Sequence, residues 1–444
     1  MENFIYAGAK VSELRLLLKR EIPRFEPRDM SLDLYFQRFA FCERQIQTPP
    51  HPNLGLVVVI PCFDEPDLVS SLESLQACER PGCATEVIVV VNSSEDSAAD
   101  ALARNQETLA QTGRWISAHK DARLAFHLLH FPELARKQAG VGLARKIGMD
   151  EALRRLSDVG KPDGVIACFD ADCTCDPNYL AAVERHFLQH PRSPGCSIYF
   201  EHPISGPRDP RIYEAITLYE LHLRFYVQAL RWAGFPHACH TIGSAMAVRA
   251  EAYRKQGGMN RRQAGEDFYF LQKIIPLGGF TEILCTRVIP SPRPSDRVPF
   301  GTGKAVRGYL NQPVLRTYPL RAFADLRKFF GRLKTMRKGK AWRNELPETV
   351  ETFLATLRFE QALEEMRLNT SSEESFQKRF FRWFNAFAVM KFIHHARDRF
   401  YGDADVQIEA LKLWKELTNE GTPSRSLREL LEEYRARDRR PWSP

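Results

Sequence analysis

Two short, almost uninterrupted apolar runs do most to limit what this chain can fold into. Residues 56–60 read Leu-Val-Val-Val-Ile and end at Pro61, and residues 86–91 form a second run of the same character. A strand without polar alternation is buried on both faces, the condition of a parallel sheet covered by helices. Between the runs Leu68, Leu72 and Leu75 recur at helical spacing, with Pro66 near the start, where a missing N–H costs little. A parallel strand–helix–strand unit is the expected result.

The alternation continues to about residue 289. Residues 124–129 and 164–169 read as further strands, and Asp176-Pro177 as the cap and first turn of a helix through Phe187 with an apolar stripe at Leu180, Val183 and Phe187. Residues 195–200 read as a strand, 211–232 as a long aromatic-rich helix and 242–248 as a returning strand. A proline-rich stretch, 290–299, closes this region. Beyond it Val350, Phe353, Leu354 and Leu357 repeat at helical intervals, and residues 380–393 also suit a helix. Phe381, Trp383, Phe384, Phe387 and Phe392 read as core or domain interface rather than as a ligand pocket. The division expected is a helical extension over 1–53, an α/β domain over 54–300 and a mainly helical region over 301–444.

Composition sets the broad class. Of 444 residues, 44% are hydrophobic and 27% charged, which excludes wholesale disorder. The net charge of +8 is modest for this surface and gives no reason to expect nucleic acid. Arg332, Lys334, Lys338 and Lys340, and the tail Arg437, Arg439 and Arg440, read first as solvated faces; they leave room for peripheral membrane contact, and the later helices for a homo-oligomer. No apolar run approaches the roughly 20 residues that span a bilayer. The charged N-terminus lacks the pattern of a secretory signal, so a cytoplasmic location is expected. The ten cysteines are scattered, and several lie in apolar runs, which favours thiols over a disulfide framework. The lone pair Cys173 and Cys175 is a weak zinc signal.

The most informative word is Val165-Ile166-Ala167-Cys168-Phe169-Asp170-Ala171-Asp172. An apolar strand delivers two carboxylates at its carboxyl end, the edge of an open α/β sheet where ligands bind. Two aspartates so close repel unless positive charge joins them. A divalent cation bridging diphosphate oxygens supplies it, so Mn²⁺ or Mg²⁺ is implied, with Asp172 on the metal and Asp170 on the ribose or on the metal's water.

Four such landmarks occur in order: residues 57–65, Val-Val-Val-Ile-Pro-Cys-Phe-Asp-Glu; residues 89–94, Val-Val-Val-Asn-Ser-Ser; residues 169–172; and residues 265–270, Gly-Glu-Asp-Phe-Tyr-Phe. Together they resemble family 2 of the nucleotide-sugar glycosyltransferases over residues 54–300. The resemblance implies a GT-A domain, a doubly wound, mostly parallel sheet with helices on both faces, followed by a mainly helical C-terminal region. It further implies a UDP- or GDP-linked sugar as donor and a carbohydrate or small hydroxyl compound as acceptor.

Site residues follow from the resemblance position by position. Pro61, Phe63 and Glu65 stand at the first donor-binding landmark. Asn92 stands where the family usually has an Asp that reads the uracil N3–H; an amide oxygen can still accept that bond but adds two donors. Asp267 becomes the general base of an inverting transfer, and Glu266 a holder of acceptor hydroxyls. Lys137, Gly140, Gly142 and Arg145 match a loop and helix start that meet the diphosphate. Arg293, Arg297 and Lys304 are candidate phosphate clamps and Asp296 a candidate third metal ligand, while His237 and His240 read first as structural histidines and second as groups near the cation or the sugar. A haloacid-dehalogenase-like phosphatase with Asp170 as nucleophile, a sugar-phosphate nucleotidyltransferase and a non-catalytic binding module are the competing readings.

Overall fold

The computed structural model describes residues 30–298, 300–339, 342–419 and 425–442. Residues 1–29 of the expected N-terminal extension, Pro299 and Lys340 lie outside the described residues. The chain divides into two compact units, Met1–Arg208 with Thr241–Arg307 and Asp209–His240 with Gly308–Pro444.

The first unit carries β1 (Leu54–Cys62), β2 (Ala84–Ser94), β3 (Leu124–Leu134), β4 (Val165–Cys168), β5 (Cys173–Cys175), β6 (Gly195–Phe200), β7 (Met246–Arg249) and β8 (Thr281–Pro290). Its helices are α1 (Leu32–Arg38), α2 (Leu68–Gln76), α3 (Ala99–Ala118), α4 (Val141–Asp158), α5 (Tyr179–Gln189), α7 (Ala250–Lys255) and α8 (Glu266–Ile274); α6 (Pro210–Ala233) belongs to the second unit. The strands form one sheet of order β3-β2-β1-β4-β7-β6-β8-β5. β3, β2, β1 and β4 run parallel, as do β6 and β8, whereas β7 is antiparallel to β4 and β6, and β5 to β8. This is the expected α/β sheet, with a parallel half and a mixed half.

The apolar runs explain the parallel half, since Val57, Val58, Val59 and Ile60 on β1 and Val87 through Val91 on β2 are fully buried. The Val59 carbonyl accepts the Phe169 amide at 3.0 Å, so by alternation Pro61 faces the same side. The last β1–β4 pair is Val59 with Cys168, so the missing donor of Pro61 falls just past the ladder. β1, β2 and β4 therefore end at one edge, bringing residues 63–65, Asn92 and 170–172 to it.

Three boundaries in the first unit differ from the sequence expectation, and in the second unit the helix expected over 380–393 is broken at Asn385, whose side chain caps a new helix starting at Ala386. β3 runs on to Leu134, and α5 begins at Tyr179 behind Asn178 rather than at Pro177. The strand expected over 242–248 shortens to β7, because residues 242–245 turn, with the Ala245 amide bonded to the Ile242 carbonyl at 3.0 Å.

The second unit is helical apart from the short pair β9 (Arg316–Thr317) and β10 (Ala404–Asp405). Its α6 ends at Gly234, whose φ of 87° suits a residue without Cβ. Phe329, Phe330, Phe380, Phe381 and Phe384 pack edge-on and stacked with centroids 5.2–6.2 Å apart, and all are buried. Of the late aromatics, Phe381, Phe384 and Phe392 are thus core, whereas Trp383 and Phe387 are half-buried. His240 and Asp438 pair at 3.0 Å here, and Asp438 also takes Arg224 at 2.6 Å. Among the described residues no helix is long and apolar enough to cross a membrane.

Candidate active site

At the carboxyl edge of the parallel strands five carboxylates gather around three guanidinium groups. Glu65 is fully buried and gripped from two sides, by Arg293 at 2.5 and 2.9 Å and by Arg297 at 2.9 Å. Arg297 also donates to the Phe63 carbonyl at 3.0 Å, which fixes the turn leaving β1. Both arginines, expected as phosphate clamps, are spent first on Glu65, because a buried carboxylate demands a charged partner. Arg297 reaches Asp172 only at 3.7 Å.

Asp172 keeps a quarter of its side chain exposed. Burial, then the charge of Asp170, pushes its carboxyl up to about 6 against the pull of Arg297 and Arg293. Ser71 on α2 donates to the Ala171 carbonyl at 2.8 Å, holding the turn between the two aspartates.

Arg145 on α4 is the centre of the second group. Its guanidinium bonds Asp170 at 2.5 Å and also Glu266, and its side chain is 1% exposed. Glu266 opens α8 with a side chain only 4% exposed. Arg145, expected at the diphosphate, and Glu266, expected at the acceptor, here form a carboxylate clamp that joins the turn after β4 to the start of α8. Gly243 makes room for it, since a Cβ there would lie 2.8 Å from the guanidinium.

Asp267 follows Glu266, accepts its neighbour Phe268's amide at 2.7 Å and lies near enough to Arg145 and Asp170 to feel both charges. Burial raises its carboxyl above the ordinary value, and Arg145 and the Phe268 amide offset only part of that rise.

Asn92 is buried and donates its amide to the Gly140 carbonyl at 3.1 Å. An aspartate could not make that bond, which gives the Asn a structural use. Gly140, at φ 152°, and Gly142 start α4, and a Cβ on Gly142 would collide with the Arg262 carbonyl. Lys137 is exposed beside them. Asp296 pairs on the surface with Lys304 at 2.9 Å and Arg307 at 3.3 Å. His237 and His240 fall in the second unit.

Among the described residues no three His, Cys, Asp or Glu side chains form a ready-made metal cage. The acidic edge nonetheless suits a hard divalent ion, which is commonly held by one or two carboxylates and completed by phosphate oxygens and water. Asp172, raised and reached by Arg297 only at 3.7 Å, and the Asp170 oxygen not bonded to Arg145 are the groups that would hold it.

Residues 57–257 match the family model described as Glycosyl transferase family 2. That stretch is a glycosyl transferase family 2 domain. The family match sets aside the phosphatase and nucleotidyltransferase readings: the chain is a glycosyltransferase. The family 2 span contains Pro61, Phe63, Glu65, Asn92, Lys137, Gly142, Asp170 and Asp172, whereas Glu266, Asp267, Arg293 and Arg297 lie beyond its end. No curated protein matches the chain. Similar solved structures include S. aureus TarS 1-349 in complex with UDP-GlcNAc, at 12% identity over 77% of this chain and 89% of that one with a TM-score of 0.39. Another is the mannosyltransferase PcManGT from Pyrobaculum calidifontis in complex with GDP-Man and Mn²⁺, at 15% identity over 89% of this chain and 90% of that one with a TM-score of 0.33.

Sequence reasoning missed the clamp made by Arg145, the space left by Gly243 and the hold of Ser71 on the aspartate turn. Only the Gly-x-Gly before α4 hinted that something approaches closely there.

Proposed function

We propose that the family 2 domain transfers a sugar from a UDP- or GDP-linked donor to a hydroxyl of a carbohydrate or small acceptor, with inversion at the anomeric carbon. The observation that carries this is the partly exposed Asp172 carboxyl, pushed to about 6 at the carboxyl edge of the sheet, beside an excess of negative charge. Such a site gains from a cation and from the diphosphate that a cation brings.

In the transfer, the acceptor oxygen attacks the anomeric carbon and its proton passes to the Asp267 carboxylate. The carbon–oxygen bond to the diphosphate breaks, and its electron pair leaves with the diphosphate. A raised carboxyl is better matched to taking a proton near neutral pH than an ordinary one. Arg145 holds Asp170 and Glu266, which leaves Asp267 as the carboxylate of that helix start not tied to this guanidinium by a hydrogen bond. When bound at Asp172 and Asp170, Mn²⁺ or Mg²⁺ supplies charge that stabilises the leaving diphosphate. Asn92 and the Gly140–Gly142 turn line the donor side, with Pro61, Phe63 and Glu65 shaping the loop after β1.

The test is nucleotide-sugar hydrolysis and transfer followed by mass detection, with UDP-GlcNAc and GDP-Man as first probes. Turnover should need Mn²⁺ or Mg²⁺, stop with a chelator and vanish in Asp172→Ala. Equal turnover without the ion sinks the metal assignment, and a product of retained configuration sinks the role of Asp267.

A further inference from the structure

The segment leaving the two aspartates runs along α2. The Cys175 amide donates to Ser74 Oγ at 2.9 Å, and Cys175 Sγ lies 3.2 Å from that hydroxyl and 3.6 Å from Cys78 Sγ. Cys78, just past α2, is 4% exposed and Cys175 on β5 is half-buried, so solvent reaches the pair from the Cys175 side. A disulfide needs its sulfurs about 2.0 Å apart, so closure asks the two side chains to approach by about 1.6 Å. Cys78 is drawn below the ordinary thiol value by the hydrogen bond with Cys175, against its burial, with help from the Leu180 and Tyr179 amides at the start of α5 and from Arg80. A thiolate at a helix start is the usual attacking partner.

We propose that Cys78 and Cys175 are an oxidisable dithiol that closes to a disulfide in the presence of a hydroperoxide and restrains the strand leaving Asp172. The Cys78 thiolate attacks the peroxide oxygen, the O–O bond breaks, and the leaving oxygen takes up the proton that Cys78 released, which gives a sulfenic acid and an alcohol, or water. Cys175 sulfur then attacks the sulfenic sulfur, the S–O bond breaks, and water leaves with the Cys175 proton. Two thiols are oxidised by two electrons, and one peroxide is reduced. β5 starts one residue after Asp172, and Ser71 already ties Ala171 to α2, so closure pulls on the turn that presents the carboxylate. This last consequence rests on the donor-site reading of Asp172; the disulfide does not.

The full chain carrying Cys285→Ser, which removes an exposed thiol, would be treated with hydrogen peroxide. Free thiols would then be blocked and the protein digested without reductant. The expected product is a Cys78–Cys175 linked peptide, lighter by two hydrogens than the sum of its parts, lost on adding dithiothreitol and absent from Cys175→Ser. Nucleotide-sugar turnover should fall several-fold with the linkage, return with dithiothreitol, and stay unaffected by peroxide in Cys78→Ser. Circular dichroism of both variants checks that they fold. Thiol loss spread over other cysteines, with no such peptide, overturns the dithiol. A linked protein with unchanged turnover overturns the restraint, whereas undiminished turnover in Asp172→Ala would instead overturn the donor-site reading and leave the linkage standing.

Discussion

Each unit buries charge, but the accounts differ. In the second unit Glu220 and Asp438 meet Arg224, Arg435 and His240 at 2.6–3.0 Å, and the carboxylates are almost fully enclosed. At the sheet edge of the first unit Glu65, Asp170, Asp172, Glu266 and Asp267 share Arg145, Arg293 and Arg297. The outcome shows in proton affinity. Burial alone would push Asp438 up, yet His240, Arg224 and Arg231 outweigh it and hold the carboxyl far below the usual range. Burial and Asp170 raise Asp172 to about 6 because too few cations oppose them. Matched charge holds a carboxylate firmly ionised; unmatched charge leaves Asp172 with a raised proton affinity.

The contrast can be broken most sharply through chemistry. Asp267→Asn should lower turnover by about 10²- to 10⁴-fold with little change in donor affinity, measured by steady-state kinetics and donor titration. A near-normal rate would make Asp267 a helix-start carboxylate only. Next in size, Asp438→Ala takes a buried carboxylate partner from both Arg224 and His240 and should cost about 3–5 kcal/mol in urea unfolding of the second unit. A loss below about 1 kcal/mol would show that the matched network does not hold its helices.

Asp172→Asn should move the other way. Its folded pKa is raised above the ordinary value near 3.9, so the native carboxyl favours acid, and stability is lost as pH rises from about 4 through about 6. Without metal, the Asn variant should therefore be more stable than the parent by about 2 kcal/mol above that window, and the gain should disappear below it. Parallel stability–pH curves for the two proteins would dissolve the contrast. Of similar size is the effect expected from Gly142→Ala, where a Cβ meets the Arg262 carbonyl; about 1–3 kcal/mol of stability should go, with donor binding weakened alongside.

Much of the first unit was legible in the sequence because its signals are local. The apolar runs at 56–60 and 86–91 allow only doubly covered strands, and the strand before Asp170 places its carboxylates at an edge. What stayed hidden depends on distant partners. Arg145 finds Glu266 across 121 positions, and Arg293 finds Glu65 across 228, so neither pairing leaves a mark in spacing. Periodicity marked residues 211–232 as a helix but is silent on which core it joins. The Asn in place of Asp at 92 read as a change in base recognition, and only the Gly140 carbonyl beside it gives the amide a second use.

The excursion of the chain through Asp209–His240 has a consequence for biogenesis. Pro210–Ala233 is made well before residues 308–444, yet its buried Leu221, Phe225 and Leu230 pack in the unit those later residues complete. On the ribosome this helix must wait with a greasy side uncovered until the rest of its unit is synthesised, a natural client for a chaperone. An early stop near residue 307 would leave it an orphan, and the message would yield an aggregating fragment instead of half an enzyme.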